Sequence, residues 1–278
     1  MDQPQGTAAR LAVTTCVKPA QIIIQSAQRV AAELGVSYAP RRNVTVETIF
    51  AEVKLNRLLI VMPDRWLIRE KEPKVVYQYH PNMALVRAFN LVRGARDLFI
   101  EATQLKVGDS LLDCTVGFAA EASLAAMTVG PEGRVVGLES VPELAVATRE
   151  GLKVFPMHSK ILCDAMRRVE VINEDYREYL ITAGARAFDA IYFDPFFEEP
   201  LTGAEHSMSP LAHFGNSEPL DTDSVILATR VARNRVVIKH PWFEQLPRAV
   251  SVRVSHRVET RKGRLVYSVI NAEIGGPS

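Results

Sequence analysis

The chain has few cysteines, and their arrangement favours neither cross-linking nor metal binding. Only Cys16, Cys114 and Cys163 occur among 278 residues, without a C-x-x-C pair or a histidine cluster at metal-ligand spacing. We therefore expect no disulfide framework and no metal site. Widely spaced, odd-numbered thiols are typical of a reducing compartment, so we expect a cytoplasmic location.

Long hydrophobic runs are also missing. The longest, residues 58–62, is far shorter than the ~18 residues that a membrane-spanning helix requires. The first ten residues have no charged region followed by an apolar one, so they do not resemble a secretory leader. There is no internal repeat and no low-complexity tract. With 47% apolar and 23% charged residues, the sequence predicts a soluble globular protein without a membrane partner.

From residue 109 onward, strand-length apolar runs alternate with helix-length amphipathic segments. The predicted strands are 109–116, 134–139, 169–175, 188–194 and 235–240. The predicted helices between them are 119–129, 141–155, 176–184 and 221–233. Residues 251–273 contain two alternating runs around Lys262-Gly263, which predict an antiparallel hairpin that closes the sheet. The fold class is therefore α/β, with a doubly wound, mainly parallel sheet of seven strands.

Residues 1–108 show a different pattern. We expect a small α+β domain over 1–80, with strands at 11–17, 56–70 and 74–80 and helices at 19–35 and 44–53. Residues 81–108 are expected to form linking helices, and residues 109–278 the large α/β domain. Residues 195–220 show no periodicity and predict a long irregular connection, a kind of segment that is often functional.

The net charge of +1 hides an uneven distribution. Residues 1–110 hold 15 basic and 10 acidic side chains, and residues 230–264 hold ten basic and only two acidic ones. The ten basic residues are Arg230, Arg233, Arg235, Lys239, Arg248, Arg253, Arg257, Arg261, Lys262 and Arg264. Such a segment attracts phosphate backbones. Basic residues also alternate along solvated edge strands, so both interpretations stay open.

The turn after the first predicted strand of the sheet is the first place to look for a ligand. In open parallel sheets, ligands bind at the carboxyl ends of strands. The turn carries Asp113, Thr115 and Gly117 ahead of a helix whose free N–H groups point into the same space. It departs from G-x-G-x-x-G because Gly117 is its only glycine and Ala119 follows. Alone, this is a weak motif.

Carboxylates end the next two strands as well. Glu139, with Ser140 after it, lies 22 residues beyond Gly117, close to the ~20 at which an acid reaches a ribose hydroxyl. Glu174 and Asp175 follow the third strand. Each of these acids alone is more simply a helix cap or a solvated loop residue. Their recurrence at one sheet edge predicts a binding site.

The fourth strand ends in Asp194, followed by Pro195, Phe196 and Phe197. A carboxylate beside a proline carbonyl suits an amine, because both oxygens accept N–H bonds. An adjacent aromatic ring stacks on a nucleobase with ~1–3 kcal/mol. Core packing under the loop is the alternative for one of the two phenylalanines, because neighbours on an extended segment point in opposite directions.

Together these features resemble motifs one to four of class I S-adenosylmethionine-dependent methyltransferases. Within that class the chain is most similar to the RsmJ family, which methylates a guanine N2 in 16S ribosomal RNA. The segments that carry this likeness are D-x-T-x-G-x-A at 113–119, Y-F-D-P-F-F at 192–197, L-D-T-D at 220–223 and R-V-V-I-K-H-P at 235–241. The chain departs from the family at Ala119, at 196–199 and at His240, and its first 70 residues are unlike it.

The resemblance implies a site for S-adenosylmethionine and one for RNA. The implied cofactor-binding residues are Asp113, Thr115, Gly117, Glu139, Ser140, Glu174, Asp175 and Asp194. The implied catalytic residues are Asp194, Pro195, Phe196 and Phe197. From strand-end position and charge, substrate contacts are expected at Lys239, His240, Arg253, Arg257 and Arg261. Lys239 and His240 are explained equally well as solvated residues at a strand end. The expected partner is ribosomal RNA or the small ribosomal subunit.

Several alternatives stay open at this point. A nicotinamide-dependent dehydrogenase also needs a glycine turn and Glu139, but it normally has the fuller glycine motif. A methyltransferase acting on DNA or on a protein amide uses similar Asp-Pro-aromatic motifs. A non-catalytic RNA-binding protein on the same scaffold is expected to lack Asp113, Glu139 or Asp194, and all three are present.

Overall fold

The computed structural model describes residues 11–81, 83–156, 159–196, 210–260 and 263–272. The helices are α1 (Gln21–Glu33), α2 (Val46–Val53), α3 (Ala84–Val92), α4 (Leu98–Thr103), α5 (Ala120–Val129), α6 (Pro142–Val154), α7 (Lys160–Met166), α8 (Tyr176–Thr182), α9 (Pro210–Phe214), α10 (Thr222–Val231) and α11 (Arg248–Ser251). The strands are β1 (Leu11–Thr15), β2 (Ser37–Tyr38), β3 (Arg57–Val61), β4 (Trp66–Glu70), β5 (Val76–Gln78), β6 (Ser110–Asp113), β7 (Arg134–Glu139), β8 (Glu170–Asn173), β9 (Phe188–Phe193), β10 (Ala232–Pro241), β11 (His256–Glu259) and β12 (Leu265–Asn271). No helix in these ranges is both long and apolar enough to cross a membrane.

The chain divides into two compact units, of which the first contains residues 1–80 and 142–156. Its five strands pair in the order β2-β1-β3-β4-β5, with β1 parallel to β2 and β3 and the remaining pairs antiparallel. Apolar side chains of α2, β1 and β3 form its core, with Ile49, Phe50 and Leu58 fully or almost fully buried. Helix α6 belongs to this unit although it follows β7 in the chain.

The segment predicted as one strand at 56–70 is two antiparallel strands, β3 and β4. The prediction was wrong because the turn at 62–65 reverses the chain: the Met62 N–H donates to the Arg65 carbonyl across 3.1 Å. Pro63 inside the run marks this turn, since proline cannot continue the hydrogen-bonded ladder of a central strand.

The second unit contains residues 81–141 and 157–278. Its seven strands pair in the order β11-β12-β10-β9-β6-β7-β8, and β12 runs antiparallel to both of its neighbours. The predicted doubly wound, mainly parallel sheet and its terminal hairpin are confirmed. Strand β9 is apolar at almost every position because helices cover both faces of a parallel sheet, and Ile191 and Phe193 are fully buried.

Acidic side chains begin several helices around the carboxyl edge of this sheet. Asp97 accepts hydrogen bonds from the backbone N–H groups at 99 and 100, Asp175 from that of Arg177, and Asp221 from that of Ser224. Such caps satisfy N–H groups that have no partner within the helix. The proposed division into domains at 1–80, 81–108 and 109–278 remains a prediction.

Candidate active site

A cavity of about 600 Å³ opens at the carboxyl ends of β6, β7, β9 and β10 in the second unit. Its volume is within the range of ligand pockets. Ten of the residues selected from the sequence line it: Asp113, Thr115, Gly117, Glu139, Ser140, Glu174, Asp194, Pro195, Phe196 and Lys239. The fold therefore brings together side chains that lie up to 126 residues apart in the chain, from Asp113 to Lys239.

The turn after β6 presents backbone to this cavity. The Thr115 N–H donates to Asp113 Oδ1 across 3.1 Å, which tightens the turn. Gly117 has φ +47°, and a Cβ there would lie 3.1 Å from Leu211 Cδ2. Any side chain would thus be strained and would narrow the cavity. Burial raises the pKa of Asp113 well above its ordinary value.

A second carboxylate stands at the end of β7. Glu139 Oε1 accepts a hydrogen bond of 2.9 Å from the Val141 N–H, which orients the side chain beside Ser140 at the cavity wall. The Glu174 N–H donates to the Glu139 carbonyl across 3.1 Å, and Glu174 also lines the cavity. Asp175 does not: its carboxylate caps α8 and pairs with Arg177 at 3.2 Å.

Asp194 is held on two sides. Its backbone N–H donates to Thr115 Oγ1 across 2.7 Å, and its Oδ2 accepts from Lys239 Nζ across 2.7 Å. Oδ1 has no hydrogen-bond partner among the described residues, and the side chain keeps 33% of its exposure. The Phe196 ring beside it lies against Gly215, where a Cβ would come within 3.2 Å of the ring.

Lys239 belongs to a chain of ion pairs that no motif indicated. Its Nζ lies 3.5 Å from Glu121, and Glu121 also pairs with Arg87 at 2.7 Å. Arg87 binds both oxygens of Asp97, at 2.8 and 3.0 Å. Burial acts to raise the pKa of Glu121, but Lys239 and Arg87 outweigh it and keep that pKa below its ordinary value. Burial also raises the pKa of Asp194, and Lys239 opposes this effect.

A sequence signal for Glu121 does exist. Helix α5 is buried on most of its surface, and Glu121 is its only charged residue. Charged groups are almost never fully buried without a partner, so a lone acid in an apolar helix indicates an ion pair. Arg87 and Asp97 carry no comparable signal, because both lie in ordinary amphipathic sequence. Tyr176, Tyr192 and Tyr267 also line the cavity and were not predicted to do so.

Other selected residues lie away from the cavity. His240 alternates with Lys239 along β10, so its ring is buried on the other face, where Nδ1 lies 2.8 Å from the Pro241 carbonyl and Nε2 2.9 Å from Ser268 Oγ. Arg253 and Arg257 are exposed and do not line the cavity. Phe197, Arg261 and most of the irregular loop at 198–218 lie outside the described residues.

The strand order, the single reversed strand and the carboxylates at the ends of β6, β7 and β9 define a class I S-adenosylmethionine-dependent methyltransferase. The chain belongs to the family described as "Putative SAM-dependent methyltransferase", whose model matches residues 56–268. The resemblance stated from the sequence, the enzyme class and the cofactor S-adenosylmethionine are thereby confirmed.

Two curated proteins and one solved structure illustrate the range of similarity. YpiP, an uncharacterized protein of Bacillus subtilis, is 33% identical over 84% of this chain and 91% of its own length. The ribosomal RNA small subunit methyltransferase J of Psychrobacter cryohalolentis is 25% identical over 53% of this chain and 56% of its own. A SAM-dependent methyltransferase from Neisseria gonorrhoeae, at 15% identity, shares the fold with a TM-score of 0.61 over 95% of this chain and 97% of its own.

Proposed function

We propose that the protein methylates an exocyclic amine of an RNA base, with guanine N2 in ribosomal RNA as the first candidate. The observation that carries the proposal is Asp194, whose Oδ1 has no hydrogen-bond partner within the described ranges and which lines the cavity next to the exposed Phe196. The similarity to two Psychrobacter ribosomal RNA small subunit methyltransferases J, at 25% and 27% identity, supports RNA as the substrate class.

The cofactor fits the end of the cavity formed by β6 and β7. We place its methionine part over Asp113, Thr115 and Gly117, where the absence of a Cβ allows close approach to the backbone. The ribose hydroxyls then face Glu139 and Ser140. The adenine lies on the Glu174 side. When bound, S-adenosylmethionine supplies a methyl group attached to a positively charged sulfur, ready for in-line displacement.

The acceptor fits the end formed by Asp194 and Phe196. The lone pair of an exocyclic amine is delocalised into the ring, so the amine is a weak nucleophile. Asp194 Oδ1 accepts one N–H bond and the Pro195 carbonyl the other, which favours a pyramidal nitrogen whose lone pair faces the methyl group. Phe196 stacks on the base. Positive charge develops on the nitrogen during transfer, and the carboxylate stabilises it before the extra proton leaves to water.

RNA contacts outside the cavity are assigned to the basic segment 230–264. Arg253 and Arg257 are exposed, as phosphate-binding side chains must be. The segment carries ten basic and two acidic residues, so it attracts a polyanion at low ionic strength.

Methyl transfer from labelled S-adenosylmethionine tests the proposal directly. Ribosomal RNA from a strain lacking the gene, DNA and a protein extract are offered separately, and the product nucleosides are identified by mass spectrometry. We expect label in RNA alone, as an N-methylated base. Label confined to DNA or protein contradicts the RNA assignment.

The same assay tests Asp194. Asp194→Asn should lower single-turnover methylation by ~10² or more, as when one preorganised charge-stabilising group is lost, and leave cofactor affinity nearly unchanged. Asp189→Asn is the matched control, because Asp189 lies on β9, the strand that Asp194 follows, but binds Ser110 and Arg233 and does not line the cavity. Equal activity of the two variants removes Asp194 from the mechanism.

A further inference from the structure

We infer that Lys239, held in place by Glu121, is a positioning residue that keeps Asp194 in its carboxylate form with Oδ1 alone available, and thereby restricts the enzyme to neutral N–H acceptors. The inference rests on the proposed function, in which Asp194 contacts the acceptor. It adds two residues, Lys239 and Glu121, whose role is in the reaction although they need not touch the substrate.

The geometry of the ion-pair chain supports this role. Five charged groups alternate in sign from Asp97 through Arg87, Glu121 and Lys239 to Asp194, with adjacent charged atoms between 2.7 and 3.5 Å apart. They come from α3, the N-cap of α4, α5, β10 and the residue after β9. Arg87 grips both oxygens of Asp97, so the far end of the chain has fixed geometry.

The burial of the chain makes these pairs stronger than surface pairs. The side chains of Lys239 and Glu121 keep only 17% and 13% of their exposure. Solvent screening is weak at such sites, and removal of one partner leaves a buried charge without compensation. Lys239 is therefore held between Asp194 and Glu121, and its ammonium is directed to Asp194 Oδ2 at 2.7 Å.

The surrounding charges explain why Asp194 needs this lysine. Glu121 on α5 acts to raise the pKa of both Asp113 and Asp194, Asp194 acts to raise that of Asp113, and burial raises both. Arg87 on α3 and Lys239 on β10 act in the opposite direction on Asp194. In the described part of the chain, the hydroxyls of Tyr192 on β9 and Tyr267 on β12 also face Lys239 and Asp194, and the thiol of Cys114 lies near Asp113; burial raises the pKa of all three groups and keeps them neutral.

Without the ammonium, neighbouring carboxylates that are partly removed from solvent bind a proton more readily, as paired carboxylates do in other sites. A protonated Asp194 carries an O–H donor and no negative charge, so it accepts an amine N–H more weakly and stabilises less of the positive charge that develops on the nitrogen. With the ammonium, Asp194 remains an acceptor through Oδ1. The negative charge of Asp194 repels a substrate whose methyl acceptor is a carboxylate. An acceptor hydroxyl has to lose its proton to a base, and a carboxylate paired with lysine is a weak base for that proton.

The experiment compares the pH dependence of single-turnover methylation in Lys239→Met, Lys239→Arg and Glu121→Gln. We expect the single-turnover rate of Lys239→Met to be lower than that of the unmodified protein by ~10-fold or more near pH 7. The acidic limb of its pH profile should move to higher pH, because Asp194 then binds a proton more readily. Lys239→Arg should restore the position of the limb in part. Glu121→Gln should lower kcat with little change in KM, since Lys239 is then less fixed.

Two further measurements separate positioning from folding. Calorimetry should show that Lys239→Met, Lys239→Arg and Glu121→Gln bind S-adenosylhomocysteine with affinities within ~3-fold of that of the unmodified protein, a difference of about 0.7 kcal/mol. Asp189→Asn, which breaks a carboxylate pair at the other end of the same two strands, should leave the pH profile unchanged. An unchanged pH profile of Lys239→Met overturns the inference. So does a loss of methylation activity that is equal at every pH and is not restored in Lys239→Arg.

The nature of the methylated product distinguishes this inference from the proposed function. An unmodified enzyme that methylates an amine of DNA or an amide of protein contradicts the RNA assignment but leaves the role of Lys239 intact. A methyl ester or an O-methyl product overturns the role of Lys239. An enzyme inactive on all three polymers counts against both.

Discussion

The ammonium of Lys239 and the carboxylate of Asp194 lie 2.7 Å apart at the ends of two neighbouring parallel strands, β10 and β9. The register of the two strands brings them together: Phe193 pairs with Ile238, and Asp194 follows the first of these residues and Lys239 the second. The sequence alone predicts Lys239 as a contact for RNA phosphate or base. The structure pairs its ammonium with Asp194 and Glu121, and we therefore assign the proposed phosphate contacts to other basic residues.

Glu139 provides a test of the cofactor site. Its carboxylate lines the cavity at the end of β7, where it faces the proposed ribose position. Glu139→Gln should weaken S-adenosylhomocysteine binding by ~10-fold or more, because a hydrogen bond to a charged acceptor contributes about 1.5–3 kcal/mol. Calorimetry measures this directly. Unchanged affinity places the ribose elsewhere.

Asp175 provides a test at the proposed adenine end of the cofactor site. The sequence predicts it as a cofactor ligand, whereas its carboxylate caps α8 and pairs with Arg177. Asp175→Asn retains a good helix cap, so folding should be almost unaffected. We expect cofactor affinity within ~2-fold of the unmodified protein, about 0.4 kcal/mol. A loss comparable to that of Glu139→Gln restores Asp175 to the binding site.

The salt dependence of RNA binding tests the basic segment. Arg253→Ala and Arg257→Ala should each weaken binding to ribosomal RNA and reduce the slope of log affinity against log salt by about 1. Arg167→Ala is the control, since Arg167 is exposed but lies outside residues 230–264 and pairs with Asp164. Equal slopes for the control and the two variants argue against a phosphate-binding role for the segment.

The secondary-structure elements of this protein, and their order along the chain, are largely predictable from local sequence. Alternating apolar runs and turn residues place β6 to β12 within a few residues, because hydrophobic periodicity is a property of each segment alone. The single strand predicted at 56–70 is an instructive exception. Except for Pro63 and its neighbours, every residue of that run is compatible with a strand. To predict two strands, one has to give this single proline more weight than the strand-compatible residues on both sides of it.

The site is predictable only in part, for a physical reason. Asp113, Glu139 and Asp194 follow from the rule that parallel strands end at one edge. Glu121 lines the cavity and pairs with Arg87 and Lys239, and the proximity of these three residues depends on how distant elements pack. Local sequence contains no information on that packing.

Two buried tyrosines of the first unit allow a matched stability test. Tyr77 and Tyr79 are 0% and 1% exposed, but only the Tyr77 hydroxyl has a hydrogen-bond partner among the described residues, Thr148 Oγ1 at 2.9 Å. Tyr77→Phe should lower the free energy of unfolding by ~1 kcal/mol. Tyr79→Phe should leave it unchanged or raise it by up to about 1 kcal/mol, because a buried hydroxyl without a partner is removed. Denaturant titration measures both, and equal losses contradict the assigned contacts.

His240 separates a substrate-binding role from a structural one. Its place at the end of a predicted strand suggests a substrate contact, whereas the structure buries the ring between the Pro241 carbonyl and Ser268 Oγ. Burial holds the pKa of His240 below its ordinary value. The unfolded chain therefore binds a proton at His240 at a higher pH than the folded protein does, so this residue destabilises the fold as the pH falls below about 6.5.

His240→Gln removes the titration but keeps a side chain that donates and accepts hydrogen bonds. We expect the variant to lose ~1–3 kcal/mol at pH 8, where the native ring makes both contacts, and to show a smaller decrease in stability between about pH 6.5 and pH 5. Methylation per folded molecule and the KM for RNA should be unchanged at pH 8, because the ring is on the face of β10 opposite to Lys239. If instead KM rises while the stability curves of the two proteins coincide, His240 contacts the substrate and the buried placement of its ring does not describe the active enzyme.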